Sequence, residues 1–246
     1  MANPALNENA FENDNSRYLD SSSAMTINGT ALKGIFLLLI VIFGASISWG
    51  KFAVGDMNFV QAMMTVGIIV GLILAFVIIF FKKMAPYLSP LYALAEGLAL
   101  GGISAMANAA YPGVVFQAFL GTFAVLFTML ALFMSGVIKV TEKLRATILV
   151  STGAIAIVYL VTFILSFFKI QVPFIFDASP IGIGISLLVI VVAAFNLLLD
   201  FDIIERGVAS CAPKYFEWYC SFGLLVTLVW LYIEILRLLS KMRSNN

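Results

Sequence analysis

From Met57 to Phe81 the chain reads MNFVQAMMTVGIIVGLILAFVIIFF, 25 residues without a charged side chain. A helix rises about 1.5 Å per residue, so this run is long enough to cross the ~30 Å hydrocarbon core of a bilayer. Its apolar residues are continuous rather than alternating, which favours a helix over a barrel strand. Similar runs lie on both sides of it. Gly34 to Gly50 gives 17 uncharged residues between Lys33 and Lys51, Val114 to Ile138 gives 25, Ala146 to Phe168 gives 23, and Ala178 to Leu199 gives 22. Leu91 to Ala107 is apolar except for Glu96, and the last run, from about Trp218 to Leu239, contains Glu234 and Arg237.

These runs predict an all-α, polytopic membrane protein built as a seven-helix bundle. The spans are expected at about 34–50, 57–81, 90–107, 114–138, 146–168, 178–200 and 218–239. They would form one transmembrane domain, 31–246, behind a flexible polar tail, 1–30. That tail lacks a basic start followed by a short apolar core, so no secretory signal is expected. Asn108-Ala-Ala-Tyr-Pro112-Gly113 reads as a turn. Small residues spaced by four, Gly67 with Gly71, Gly97 with Gly101 and Gly223 with Thr227, mark expected close helix contacts.

Composition agrees. Of 246 residues, 62% are apolar and only 11% charged, against about 45–50% and about 25% in soluble domains. A net charge of +1 and the lack of a basic stripe exclude a nucleic-acid partner. Two cysteines, Cys211 and Cys220, are too few for a disulfide scaffold and read as free thiols. The chain has no histidine. That excludes bis-histidine haem, zinc-protease and Ser-His chemistry, and any pH response must come from carboxylates. No nucleophile–base pair, metal cluster or cofactor motif is present, so an enzyme is not expected.

Lys and Arg set the orientation. Nine of them (Arg17, Lys33, Lys82, Lys83, Lys139, Lys143, Arg145, Arg206 and Lys214) fall on the side of the N-terminus, against Lys51, Lys169, Arg237, Lys241 and Arg243 opposite. The N-terminus is therefore expected in the cytoplasm. The basic C-terminal residues fit the outer side poorly, and a last helix that enters without crossing is the alternative.

Five acids lie within or at the ends of spans: Glu96, Asp200, Asp202, Glu205 and Glu234. A charge at a helix centre costs about 2.5–3.5 kcal/mol on insertion scales, and such residues mark ion or proton pathways. Arg206 can pair with Asp202 at i,i+4, and Arg237 with Glu234 at i,i+3. Glu96 has no basic residue within a turn. Depth along the helices suggests a stepped path, with Asp200 and Asp202 at the cytoplasmic end, Glu96 near the midplane and Glu234 in the outer half.

Several stretches carry a family likeness: Pro90-Leu-Tyr-Ala-Leu-Ala-Glu-Gly97, Tyr111-Pro-Gly113, Gly136-Val-Ile-Lys-Val-Thr-Glu-Lys143, Leu199-Asp-Phe-Asp-Ile-Ile-Glu-Arg-Gly207, Ala212-Pro-Lys-Tyr-Phe-Glu-Trp-Tyr219 and Leu228-Val-Trp-Leu-Tyr-Ile-Glu-Ile-Leu-Arg-Leu-Leu239. With them the chain resembles the bacterial branch of the Bax inhibitor-1/YccA-like family over about residues 24–241. The resemblance implies a bundle with the last helix central, placed in the bacterial inner membrane. It also implies a pH-sensitive cation leak, with calcium ions or protons as permeant species.

In that family a pair of aspartates on the last two helices forms a proton-dependent latch. The first matches Asp202 here; the second falls near Thr227, which is not acidic. The basic residue that the second helix supplies is missing from this second span. The resemblance offers two further roles. One is as a modulator or substrate of the membrane protease FtsH, engaged through the N-terminal tail. A weaker alternative, from the bundle itself, is a proton-coupled secondary transporter.

Overall fold

The structure, a computed structural model, describes residues 24–168 and 177–244. Among these, seven helices are long and apolar enough to cross a membrane. They are α1 (Ile27–Ala53), α2 (Met57–Phe80), α3 (Ala85–Ala110), α4 (Val114–Met134), α5 (Glu142–Phe167), α6 (Pro180–Ala209) and α7 (Tyr215–Ser244). A short 3₁₀ turn, Lys82–Met84, joins α2 to α3.

Local chemistry sets the helix starts. Thr26, Asp56, Thr141 and Ser179 each accept a hydrogen bond from a first-turn backbone N–H, of Gly29, Phe59, Leu144 and Gly182 respectively. Gly113, at φ 83°, makes the turn expected before α4, and its N–H donates to the Asn108 side chain.

The ends of several elements differ from the sequence reading. The first helix starts at Ile27, so residues 27–30 of the expected tail are helical and Lys33 lies inside α1. The third begins at Ala85 with Pro90 inside it, the fourth stops at Met134, and the sixth continues to Ala209, carrying Asp202, Glu205 and Arg206 with it. The last helix is unbroken for 30 residues, about 45 Å. That is long enough for a full crossing, so a half-entering last helix is not required. Residues 1–23 of the tail, and Lys169, lie outside the described residues.

Seven crossings put the starts of α1 and α7 on one face, called the N side below. The backbone holds them together there: Met25 N–H donates to Ala212 O at 2.8 Å, and Ala24 pairs with Pro213. The core has two central helices rather than one. In α3 and α7, 56% of the most apolar 18-residue window is buried, against 11–33% in the other five. α7 packs against α1, α3, α4 and α6, whereas α2 lies outside α3.

The small-residue pairs explain the closeness of α1 and α3. A Cβ at Gly97 would stand 2.4 Å from Val41 O, and one at Gly101 2.3 Å from Ala45 O. Facing outward are large apolar side chains such as Leu72 (60% exposed) and Phe163 (61% exposed). A surface of this kind belongs against lipid.

Candidate functional site

Polar side chains gather at five places along the bundle. At the N side, Glu217 in the first turn of α7 is completely buried. Its Oε1 accepts from the Thr26 N–H at 2.8 Å and the Thr26 hydroxyl at 3.0 Å, with Lys214 Nζ 3.0 Å away. The Lys33 ammonium donates to Oε2. Ser221 adds a 2.7 Å bond to Thr30 O. Four donors surround this carboxylate, so its charge is fully satisfied and α1 is clamped to α7. Sequence reasoning missed it because the last span was expected to begin at about Trp218. The signal available was Lys214 three residues earlier.

A second group joins α5 to α6. Arg206 Nε lies 3.0 Å from Asp202 Oδ2, the expected i,i+4 pair. Arg145, at the start of α5, also bonds Asp202. Arg206 extends to Glu142 at 3.7 Å. Glu205 is exposed beside this network and takes no part in it.

The third place is the contact of α6 with α7. Here the structure departs from the family-based expectation. The acid that faces Thr227 is Asp200, and Asp202 faces α5. Asp200 is within hydrogen-bond reach of the Thr227 side chain. Its Oδ1 is 3.8 Å from where a Cβ on Gly223 would stand. Its Oδ2 is buried and has no hydrogen-bond partner among the described residues. The Cys220 thiol lies one turn before Gly223 and two turns before Thr227. Lys82 rests over the Tyr219 and Phe216 rings, 5.2 and 5.9 Å from their centroids. Both cysteines are free; Cys211 is exposed and Cys220 buried.

Glu96 lies within about 3 Å of the middle of α3 along the helix axis. Its carboxylate approaches α2, with Oε1 3.3 Å from the position a Cβ on Gly71 would take. The Tyr92 hydroxyl, one turn earlier, is its polar neighbour.

Toward the opposite side, Glu234 of α7 is buried (1% exposed). Arg237 Nη1 bonds it at 3.0 Å, as the spacing predicts. Tyr159 of α5 donates to Glu234 Oε1 at 2.8 Å, and the Arg237 guanidinium sits over the Tyr159 ring. One turn on, Lys241 is buried and donates to Gly182 O at 3.0 Å and Ser186 Oγ at 2.9 Å. It was expected in a basic tail. Its four-carbon stem instead carries the charge back against α6.

The observed helix bounds place the carboxylates at different heights along the bundle. Asp200 lies about 8 Å from the middle of α6 toward the N side, and Glu234 about 7 Å past the middle of α7 toward the other. The carboxylates do not share one channel wall, however: Asp200 lies between α6 and α7, Glu96 between α3 and α2, and Glu234 between α7 and α5. Among the described residues no three metal-ligating side chains gather into a site.

A family model described as Bax inhibitor 1 like matches residues 3–244. No curated protein and no solved structure matches the chain. The match covers nearly the whole sequence, and the chain belongs to the Bax inhibitor 1 like family.

Proposed function

We propose that this Bax inhibitor 1 like membrane protein is a pH-sensitive cation leak, with calcium as the main permeant and Asp200 as the gating carboxylate. The observation that carries this reading is the orphaned, buried Oδ2 of Asp200 at the contact with a central helix. A buried acceptor without a donor costs free energy, and a carboxylate so placed attracts either a cation or a proton. Ionised, Asp200 offers a passing cation an oxygen that no protein group occupies. Protonated, it loses that attraction. Flux should therefore fall as pH falls through the titration of Asp200.

Lys82 supplies a second element. It follows α2 directly and rests over the Tyr219 and Phe216 rings at the N-side start of α7, so it is the candidate for the basic group that the second span lacks. Its ammonium raises the barrier to a cation entering from that side. With the N side facing the cytoplasm of a bacterial inner membrane, the leak would be restrained from the cytoplasm. The protease-linked reading depends on residues 1–23, which lie outside the described residues, and no observation favours a transporter.

The test is calcium and proton flux in proteoliposomes across about pH 5–8. Asp200→Asn should give a low flux that no longer varies with pH. Lys82→Met should raise flux when calcium is supplied on the N side. An unchanged profile in both variants would remove Asp200 and Lys82 from the path.

A further inference from the structure

A cavity of about 350 Å³ lies between α1, α3, α4 and α7. It occupies the half of the bundle opposite the N side, and Leu38 and Trp49 mark its extent along α1. The eleven helical steps from Leu38 to Trp49 span about 16 Å, close to half of a ~30 Å hydrocarbon core. We propose that this cavity holds one lipid acyl chain from the leaflet on that side.

The lining chemistry favours a hydrocarbon over an ion, water or a polar ligand. Four hydroxyl-bearing residues reach the walls, and each hydroxyl already has a partner. Ser104 and Tyr232 bond each other at 2.7 Å across the α3–α7 contact. Thr122 donates to Ala118 O at 2.8 Å, and Ser46 to Phe43 O at 2.7 Å. The rest of the lining is aliphatic and aromatic. A cavity without open polar groups stays dry and takes apolar guests.

The cavity is also continuous with the lipid-facing surface. Ile42 (55% exposed) and Phe119 (43% exposed) form both its walls and the outer face of the bundle. The mouth lies between α1 and α4, the wall helices that make little contact with each other. Trp49, four residues before the end of α1, stands at the rim at the depth where aromatic rings meet the headgroups. Bilayer hydrocarbon is therefore the matter in direct contact with the opening. The inner wall is α7 itself, at Leu228, Val229 and Tyr232, so a chain in the cavity presses on the helix that carries Thr227 and Glu234.

The full chain would be placed in nanodiscs of phosphatidylcholine with a photoactivatable diazirine in the acyl chain. After irradiation, adducts are mapped by peptide mass spectrometry. Expected are adducts on the inner-wall residues Leu228 and Tyr232, beside those on outward residues such as Leu72. Val115→Trp, which fills the cavity from α4, should lower the inner-wall adducts by at least about tenfold and leave the Leu72 adducts unchanged. Ser46→Phe, acting from α1, should do the same if Val115→Trp fails to fold. Two outcomes would overturn the proposal: adducts confined to outward residues, or inner-wall adducts that survive both substitutions.

Discussion

Asp200 and Asp202 are two residues apart on α6, yet they serve opposite neighbours: Asp202 pairs with Arg145 of α5, and Asp200 turns to Thr227 of α7. Each residue advances about 100° around a helix, so a step of two reverses the direction of a side chain. One acid is held by two guanidinium groups and the other has an oxygen without a donor. The two positions should therefore respond differently to neutralisation.

Asp202→Asn should lower stability by about 2–4 kcal/mol, because it leaves the Arg145 charge partly buried without its partner. Thermal unfolding in detergent measures this. Asp202→Leu combined with Arg145→Met should cost less than the sum of the single changes. Additive losses would show that the pair is not coupled.

Glu217 should be the most sensitive acid at the N side. Glu217→Gln weakens bonds to two ammonium groups, and about 3–5 kcal/mol is expected from a buried charge cluster broken on one side. Proteolysis near residues 24–33 should accelerate as α1 is released from α7. A stable variant with normal protease resistance would show that Glu217 does not hold the clamp.

Two glycine substitutions separate packing from propensity. Gly101→Ala places a methyl 2.3 Å from Ala45 O and should cost about 1–3 kcal/mol by overpacking. At Gly153 nothing lies within 4 Å, so Gly153→Ala should be neutral or stabilising by up to about 1 kcal/mol. Equal effects at the two positions would argue against the close α1–α3 contact.

The native cysteines report the orientation. Cys211 is exposed on the N side and Cys220 is buried. A membrane-impermeant maleimide should label one cysteine per chain, and only when the cytoplasmic face is accessible. Labelling from the periplasmic face would reverse the orientation drawn from Lys and Arg counts.

The spans were legible because Met57–Phe81 and its counterparts leave no other way to shelter so much apolar surface. The Glu234–Arg237 and Asp202–Arg206 pairs were legible because three and four residues make neighbours on a helix. The missing parts are all long-range. Lys33 reads as the charge before a span until Glu217, 184 positions away, is seen to receive it inside the bundle. Tyr159 reads as one aromatic among many until Glu234 is beside it, 75 positions away. Which aspartate of α6 faces α7 depends on how that helix is rotated. Its run from Pro180 to Leu199 carries only Ser186 and Asn196 as polar side chains, ten residues apart, so no polar stripe fixes the rotation.

Comparing Asp200→Asn with Asp202→Asn decides whether the gate is where it is proposed to be. Calcium flux in proteoliposomes should fall with decreasing pH in the wild type and in Asp202→Asn, and should be low and flat in Asp200→Asn. A wild-type pH profile in Asp200→Asn, or a flat one in Asp202→Asn alone, would contradict a gate at Asp200.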